Sequence, residues 1–195
     1  GLAAAAHALE DADRLTEARR WYRRIDEDIR GGRLMSDQPQ LNPNNPAAEE
    51  GTQRRAHAPW MMGVAAATTF LACTGDDAYR RMGFAYIDHV VRCHVQSGED
   101  GPGRTGDMWE FVDDRARPLV EHGALRSDPG HAAEFAGLSL KFLRTGEEAG
   151  LYGPAEQDRV AAWRPILTSV LERAFAAGWA DTGVGIYKGV DMLSG

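Results

Sequence analysis

Ser127-Asp128-Pro129-Gly130-His131-Ala132-Ala133-Glu134 reads as the opening of a helix. Asp128 can accept hydrogen bonds from the first-turn N–H groups, and Pro129 suits the first helical position, where its missing N–H costs nothing. The helix is expected to run to about Arg144 and to stop at Gly146. His131 then lies in the first turn and shares a face with Glu134, three residues on. A carboxylate so placed can hold one ring nitrogen as N–H and leave the other to act as a base. The positive end of the helix dipole disfavours the imidazolium, while Glu134 favours it. Gly130 lets a ligand come close to the backbone. The same spacing also arises by accident on helix surfaces, so spacing alone leaves a surface pair and a catalytic pair both open.

Helical patterns recur on either side. Residues 2–12 and 15–30 read as helices, the second with Trp21, Ile25 and Ile29 as its buried stripe. Residues 33–55 carry Pro, Asn, Asp and Gln without periodicity, which predicts a long polar loop. Pro59 opens an apolar run from Trp60 to Cys73, suited to a buried helix. Asp76 can cap the next helix, over about 77–96. Met108–Val112 and Pro118–Glu121 alternate around Asp113-Asp114-Arg115-Ala116-Arg117, the pattern of a hairpin. A last helix is expected over about 155–176, followed by a second hairpin from Trp179 to Lys188. About six helices in pairs, with polar hairpins between the pairs, predict an all-α chain of the kind found in α/α toroids and solenoids.

The 195 residues are 43% hydrophobic and 26% charged, enough apolar material for a core without staples. The formal net charge of −7 argues against a nucleic-acid binder, which needs a basic face for phosphates. Arg19, Arg20, Arg23 and Arg24 are interleaved with acids and read as a solvated helix face. No apolar stretch is long enough for a transmembrane helix, and no signal-peptide pattern is seen, so no membrane partner is expected. Gly1 stands without a preceding Met in a run that already looks helical, as if the native start lay upstream. Cys73 and Cys93 lack a CxxC spacing and read as reduced thiols of a cytoplasmic protein.

The run Asp128-Pro129-Gly130-His131-Ala132-Ala133-Glu134 resembles the PGHxxE signature of the N-acylglucosamine 2-epimerase family. Three further segments resemble the family in order and spacing: His57-Ala58-Pro59-Trp60-Met61-Met62, Trp109-Glu110-Phe111-Val112-Asp113-Asp114, and the tail Gly178-Trp179-Ala180-Asp181-Thr182-Gly183-Val184-Gly185. The resemblance implies an (α/α)6 barrel with short β-hairpins at its active-site end. Residues 1–195 would form about half to two-thirds of such a barrel. It also implies a longer parent chain, with a second catalytic histidine beyond Gly195. The implied activity is epimerisation or aldose–ketose isomerisation of a small-molecule sugar, by acid/base proton transfer at C2 of the open chain. His131 matches a catalytic histidine and Glu134 its partner. Gly137 departs from the family, which often has a bulky aromatic there.

His57 is expected either to contact substrate or to cap the long loop. Trp60 and Trp109 are expected either to floor a sugar site or to pack in the core. Glu110, a further substrate-side candidate, reads with Asp113 and Asp114 as a solvated hairpin charge. His89 and His94 are expected to have no function, and His7 and His122 carry no signal. No metal or other cofactor is required, and a homodimer is compatible with the picture. Two other classes stay open. A glycoside hydrolase would need carboxyl groups about 5–10 Å apart, drawn from Glu110, Asp113 and Glu134. The other is a non-catalytic helical scaffold.

Overall fold

The computed structural model describes residues 1–34, 54–98, 101–180, 183 and 185–194. Local chemistry starts each long helix. Asp11 accepts from the Arg14 N–H at the head of α2 (Ala12–Arg30), and Asp76 does the same for Ala78 at α4 (Asp77–His94). Asp128 accepts from both Gly130 and His131 at α5 (Pro129–Glu148), with Pro129 at the first helical position. Pro154 begins α6 (Pro154–Gly178), and Glu156 reaches back to the Gly153 N–H. Between α2 and α4, α3 (Ala58–Thr74) ends at Gly75, whose φ of +63° suits a residue without Cβ. A short α1 (Leu2–Ala8) precedes α2. Asp76→Ala is expected to cost about 0.5–2 kcal/mol, read as a lower denaturant midpoint with an unchanged slope.

The helices pack as three sequential hairpins, α1 with α2, α3 with α4, and α5 with α6. The odd-numbered helices lie side by side, α3 against both α1 and α5. Tyr22 of α2 donates to the Gly63 carbonyl of α3 at 3.0 Å, and Tyr86 of α4 packs on Gly63, where a Cβ would meet its ring at 2.7 Å. Gly63 is therefore a contact point for three helices. One continuous core runs from Tyr22 and Phe70 through Ile87 and Phe135 to Leu167.

The apolar run Trp60 to Cys73 lies in α3 and is buried along one side, with Met62 and Ala72 exposed. The stripe on α2 does not follow the expectation: Trp21 and Ile25 are exposed, and the buried positions are Ala18, Tyr22 and Ile29. Phe70 and Tyr79 stack around Tyr22, centroids 5.0 and 5.7 Å away, and so select that face. Helix α5 runs two residues past Gly146.

Strands are short. β1 (Arg55–Ala56) pairs antiparallel with β2 (Phe111–Val112), so Arg55 belongs to a strand and not to the loop assigned to 33–55; 35–53 lie outside the described residues. β3 (Val120–Glu121), β4 (Ala124–Ser127) and β5 (Val190–Asp191) form a second sheet in that order. The hairpin around 113–117 is present, with Val112 bridging Pro118. Asp113 builds its turn by accepting from the Arg115 and Arg117 N–H groups and the Arg117 guanidinium. A tighter hairpin, β3–β4, turns through His122 and Gly123, both at positive φ. The expected tail hairpin shows a Trp179–Ile186 bridge, while Asp181, Thr182 and Val184 lie outside the described residues. No described helix is long and apolar enough to cross a membrane.

Candidate functional site

Backbone pairing brings three separate segments to one place. After α4 the chain doubles back: the Gln96 N–H donates to the Asp107 carbonyl and the Trp109 N–H to that of His94. The Asp107 side chain clamps this return to α6 through Arg173, 2.8 Å away. Glu110 follows, its N–H on the Arg126 carbonyl of β4 and its carbonyl taking the His57 N–H after β1. Residue 126 lies just ahead of the Asp128 cap and residue 57 at the cap position of α3. The stitching therefore aims the heads of α3 and α5 at Glu110.

The side chains complete the convergence. His57 Nε2 donates to Glu110 Oε2 at 3.1 Å. His131 Nδ1 lies 3.2 Å from both carboxylate oxygens and 3.7 Å from Asp128 Oδ2. His57 and Glu110 are buried, whereas the His131 side chain is 29% exposed. Burial alone would raise the Glu110 carboxyl, but the hydrogen bonds from His131 and His57 outweigh it and hold it at about 2. Glu110 is thus a buried anion between two imidazole donors. It is not the solvated hairpin charge expected from its acidic neighbours.

The folded-state carboxyl titrates below its ordinary 4.5. The stabilisation is therefore present above about pH 4.5 and fades as the pH falls toward 2. Wild type is expected to exceed Glu110→Gln by roughly 3 kcal/mol near neutral pH. Urea unfolding at a series of pH values should show the gap closing across that window. A gap that stayed constant down to pH 2 would contradict this account of Glu110.

Behind His57 stands His94, fully buried at the last turn of α4. Its Nδ1 donates to the Trp109 carbonyl at 3.1 Å, and the rings of His57 and His94 meet edge to face with centroids 5.5 Å apart. Burial keeps His94 neutral by lowering its pKa well below the usual histidine value. Among the described residues, His57 Nδ1 and His94 Nε2 are buried without a hydrogen-bond partner. His89 lies beyond, stacked on Trp60 with centroids 3.7 Å apart, and burial lowers its pKa to about 4.

The other expected site residues separate. Glu134 is exposed on α5, and the carboxylate found at His131 Nδ1 is that of Glu110. Trp109 is buried with Val112 and Leu125, and its indole N–H donates to the Cys93 carbonyl at 2.9 Å, so it packs in a core. Trp60 is half-buried at the side of the histidine group. His57 occupies the cap position of α3 but makes no side-chain cap; its ring turns inward to Glu110. His94 was not legible as a site residue, because on its helix it is one histidine among charges and only the doubled-back strand brings it to His57. Its one local signal was its place in the last turn before a Gly-rich loop. No protein-family model matches the chain, and no curated protein is significantly similar to it.

Proposed function

We propose that this chain carries the acid/base centre of a sugar 2-epimerase or aldose–ketose isomerase of the N-acylglucosamine 2-epimerase type, built on an (α/α)6 barrel. One observation carries the reading: a half-exposed histidine at a helix head whose Nδ1 meets a buried, ionised carboxylate at 3.2 Å. The sequential helix hairpins with their odd-numbered helices adjacent support a toroidal arrangement.

In this mechanism Glu110 accepts the Nδ1–H of His131, which leaves the basic lone pair on Nε2. His131 removes the C2 proton of the open-chain sugar as the C1 carbonyl becomes an enediolate oxygen. The resulting imidazolium sits against the Glu110 anion, which stabilises it electrostatically. His57 donates to the same carboxylate and keeps it oriented and unprotonated. Return of the proton to C1, with the O2 hydroxyl proton passing to O1, gives the ketose. Return to C2 from the opposite face gives the epimer and requires a second acid/base group on that face.

Proton NMR in D₂O with free aldoses and N-acyl hexosamines tests the reading. Deuterium at C2 together with a C2 epimer establishes epimerisation, and a ketose product establishes isomerisation. If the folded protein, in the longest form in which it occurs, exchanges no C2 proton in any sugar of the panel, the proposal is ruled out and the glycoside-hydrolase and scaffold readings are left.

A further inference from the structure

We propose that His57 Nε2, the Glu110 carboxylate and His131 Nδ1 form a binding site for one divalent transition-metal ion, with His94 holding His57 from behind. The inference stands on the geometry of the three side chains and does not rest on the sugar chemistry.

Three observations point to it. The first is spacing: one ligand atom from each residue lies within 4.8 Å of the others, and the two nitrogens are 3.1 and 3.2 Å from the carboxylate. Metal–ligand bonds of about 2.0–2.2 Å place neighbouring tetrahedral ligands roughly 3.2–3.6 Å apart. The nitrogen–carboxylate spacings thus match a small dication, and the set, within 4.8 Å, would draw in around it. The second is charge. Glu110 and Asp128, whose Oδ2 is 3.7 Å from His131 Nδ1, supply two carboxylates around the position. Two imidazoles and a carboxylate suit zinc, cobalt or iron(II) rather than calcium or magnesium, which prefer oxygen ligands. The partial exposure of His131 gives an ion a path in.

The third is the pair of unpartnered nitrogens. A carbonyl only accepts, so His94 Nδ1 carries its proton toward Trp109 and Nε2 is a bare lone pair. His57 turns Nε2 toward Glu110, and its Nδ1 is buried without a partner. Two buried, unpartnered nitrogens then sit on neighbouring rings. A metal ion on His57 Nε2 places the ring proton on Nδ1. His57 then presents a donor and His94 an acceptor on neighbouring rings. A ligating histidine held by an acceptor on its other nitrogen is the usual arrangement around such ions.

Metal binding also moves the His131 proton from Nδ1 to Nε2, so the metal-bound ring cannot serve as the base proposed above. Bound zinc is therefore expected to inhibit any C2 proton exchange.

Titration of the tag-free chain with Co²⁺, followed by visible absorption, and with Zn²⁺, followed by calorimetry, tests the site. One equivalent is expected to bind, with the nitrogen shifts of His57 and His131 reporting exchanged tautomers. Glu110→Gln and His57→Gln, each checked for a cooperative melt, are expected to abolish this binding. His94→Phe should weaken it by about 10- to 100-fold. Absence of stoichiometric binding to folded wild type overturns the proposal. So does undiminished binding in Glu110→Gln, a variant that keeps the shape of the site. Because the readout is the metal, its outcome is independent of whether any sugar is turned over.

Discussion

His131→Asn is expected to lower C2 proton exchange by about 10² to 10⁴, the usual worth of a general acid/base step. The effect should fall on turnover, because the residue is proposed to act on the proton in flight. The fold should survive. The His131 side chain is 29% exposed, and the α5 cap depends on Asp128 and the backbone N–H of residue 131, both retained. The melting temperature should fall modestly, since Glu110 loses one of its two imidazole donors, while exchange, measured by deuterium incorporation, disappears. Glu110→Gln should reduce the rate in the same direction, since a neutral amide no longer stabilises the imidazolium. Full turnover by a folded His131→Asn protein would remove His131 from the chemistry and the proposed mechanism with it.

Phe142→Ala is expected to be the most damaging single truncation in the helical core, costing about 3–5 kcal/mol. Phe142 is fully buried on α5. Its ring meets Phe84 edge to face at a centroid distance of 5.9 Å and lies against Gly83 of α4, where a Cβ has no room. Its carbonyl accepts from Tyr152 at 3.3 Å. Removing the ring leaves a cavity between α4 and α5 that rigid helices cannot close. Against a total stability of about 5–15 kcal/mol, this amounts to a fall in Tm of roughly 6–20 °C. The reverse change tests the same contact: Gly83→Ala should cost roughly 1–3 kcal/mol by overpacking. The double variant should lose less than the sum, because the added methyl enters the space the ring vacated. Additive losses, or a Phe142→Ala cost under about 1 kcal/mol, would contradict close packing at this crossing.

The local elements were largely legible in the sequence, although the break between the first two helices falls at 9–11, with Asp11 as cap, and not after residue 12. Asp76, Asp128, Pro129 and Gly75 act through groups within a few residues of themselves, so their roles as caps and stops can be read without the fold. The apolar run from Trp60 to Cys73 forms a helix with much of its surface buried. His131 was placed correctly in a first turn by Asp128 and Pro129. What escaped was the set of relations between distant segments. Trp21 and Ile25 satisfy a helical period as well as Ala18 and Tyr22 do, and only the rings of Phe70 and Tyr79 decide which face is covered. Glu110 looked like one of several hairpin acids, and its burial follows from strand pairings with residues 57 and 126. Glu134 was the expected partner of His131 because it is three residues away. Glu110, 21 residues away, is the one found at its Nδ1. Helix starts, stops and capping residues were thus set by short-range hydrogen bonding and backbone sterics. The grouping of His57, His94, Glu110 and His131 was decided only in three dimensions, because it depends on where the chain doubles back between helices.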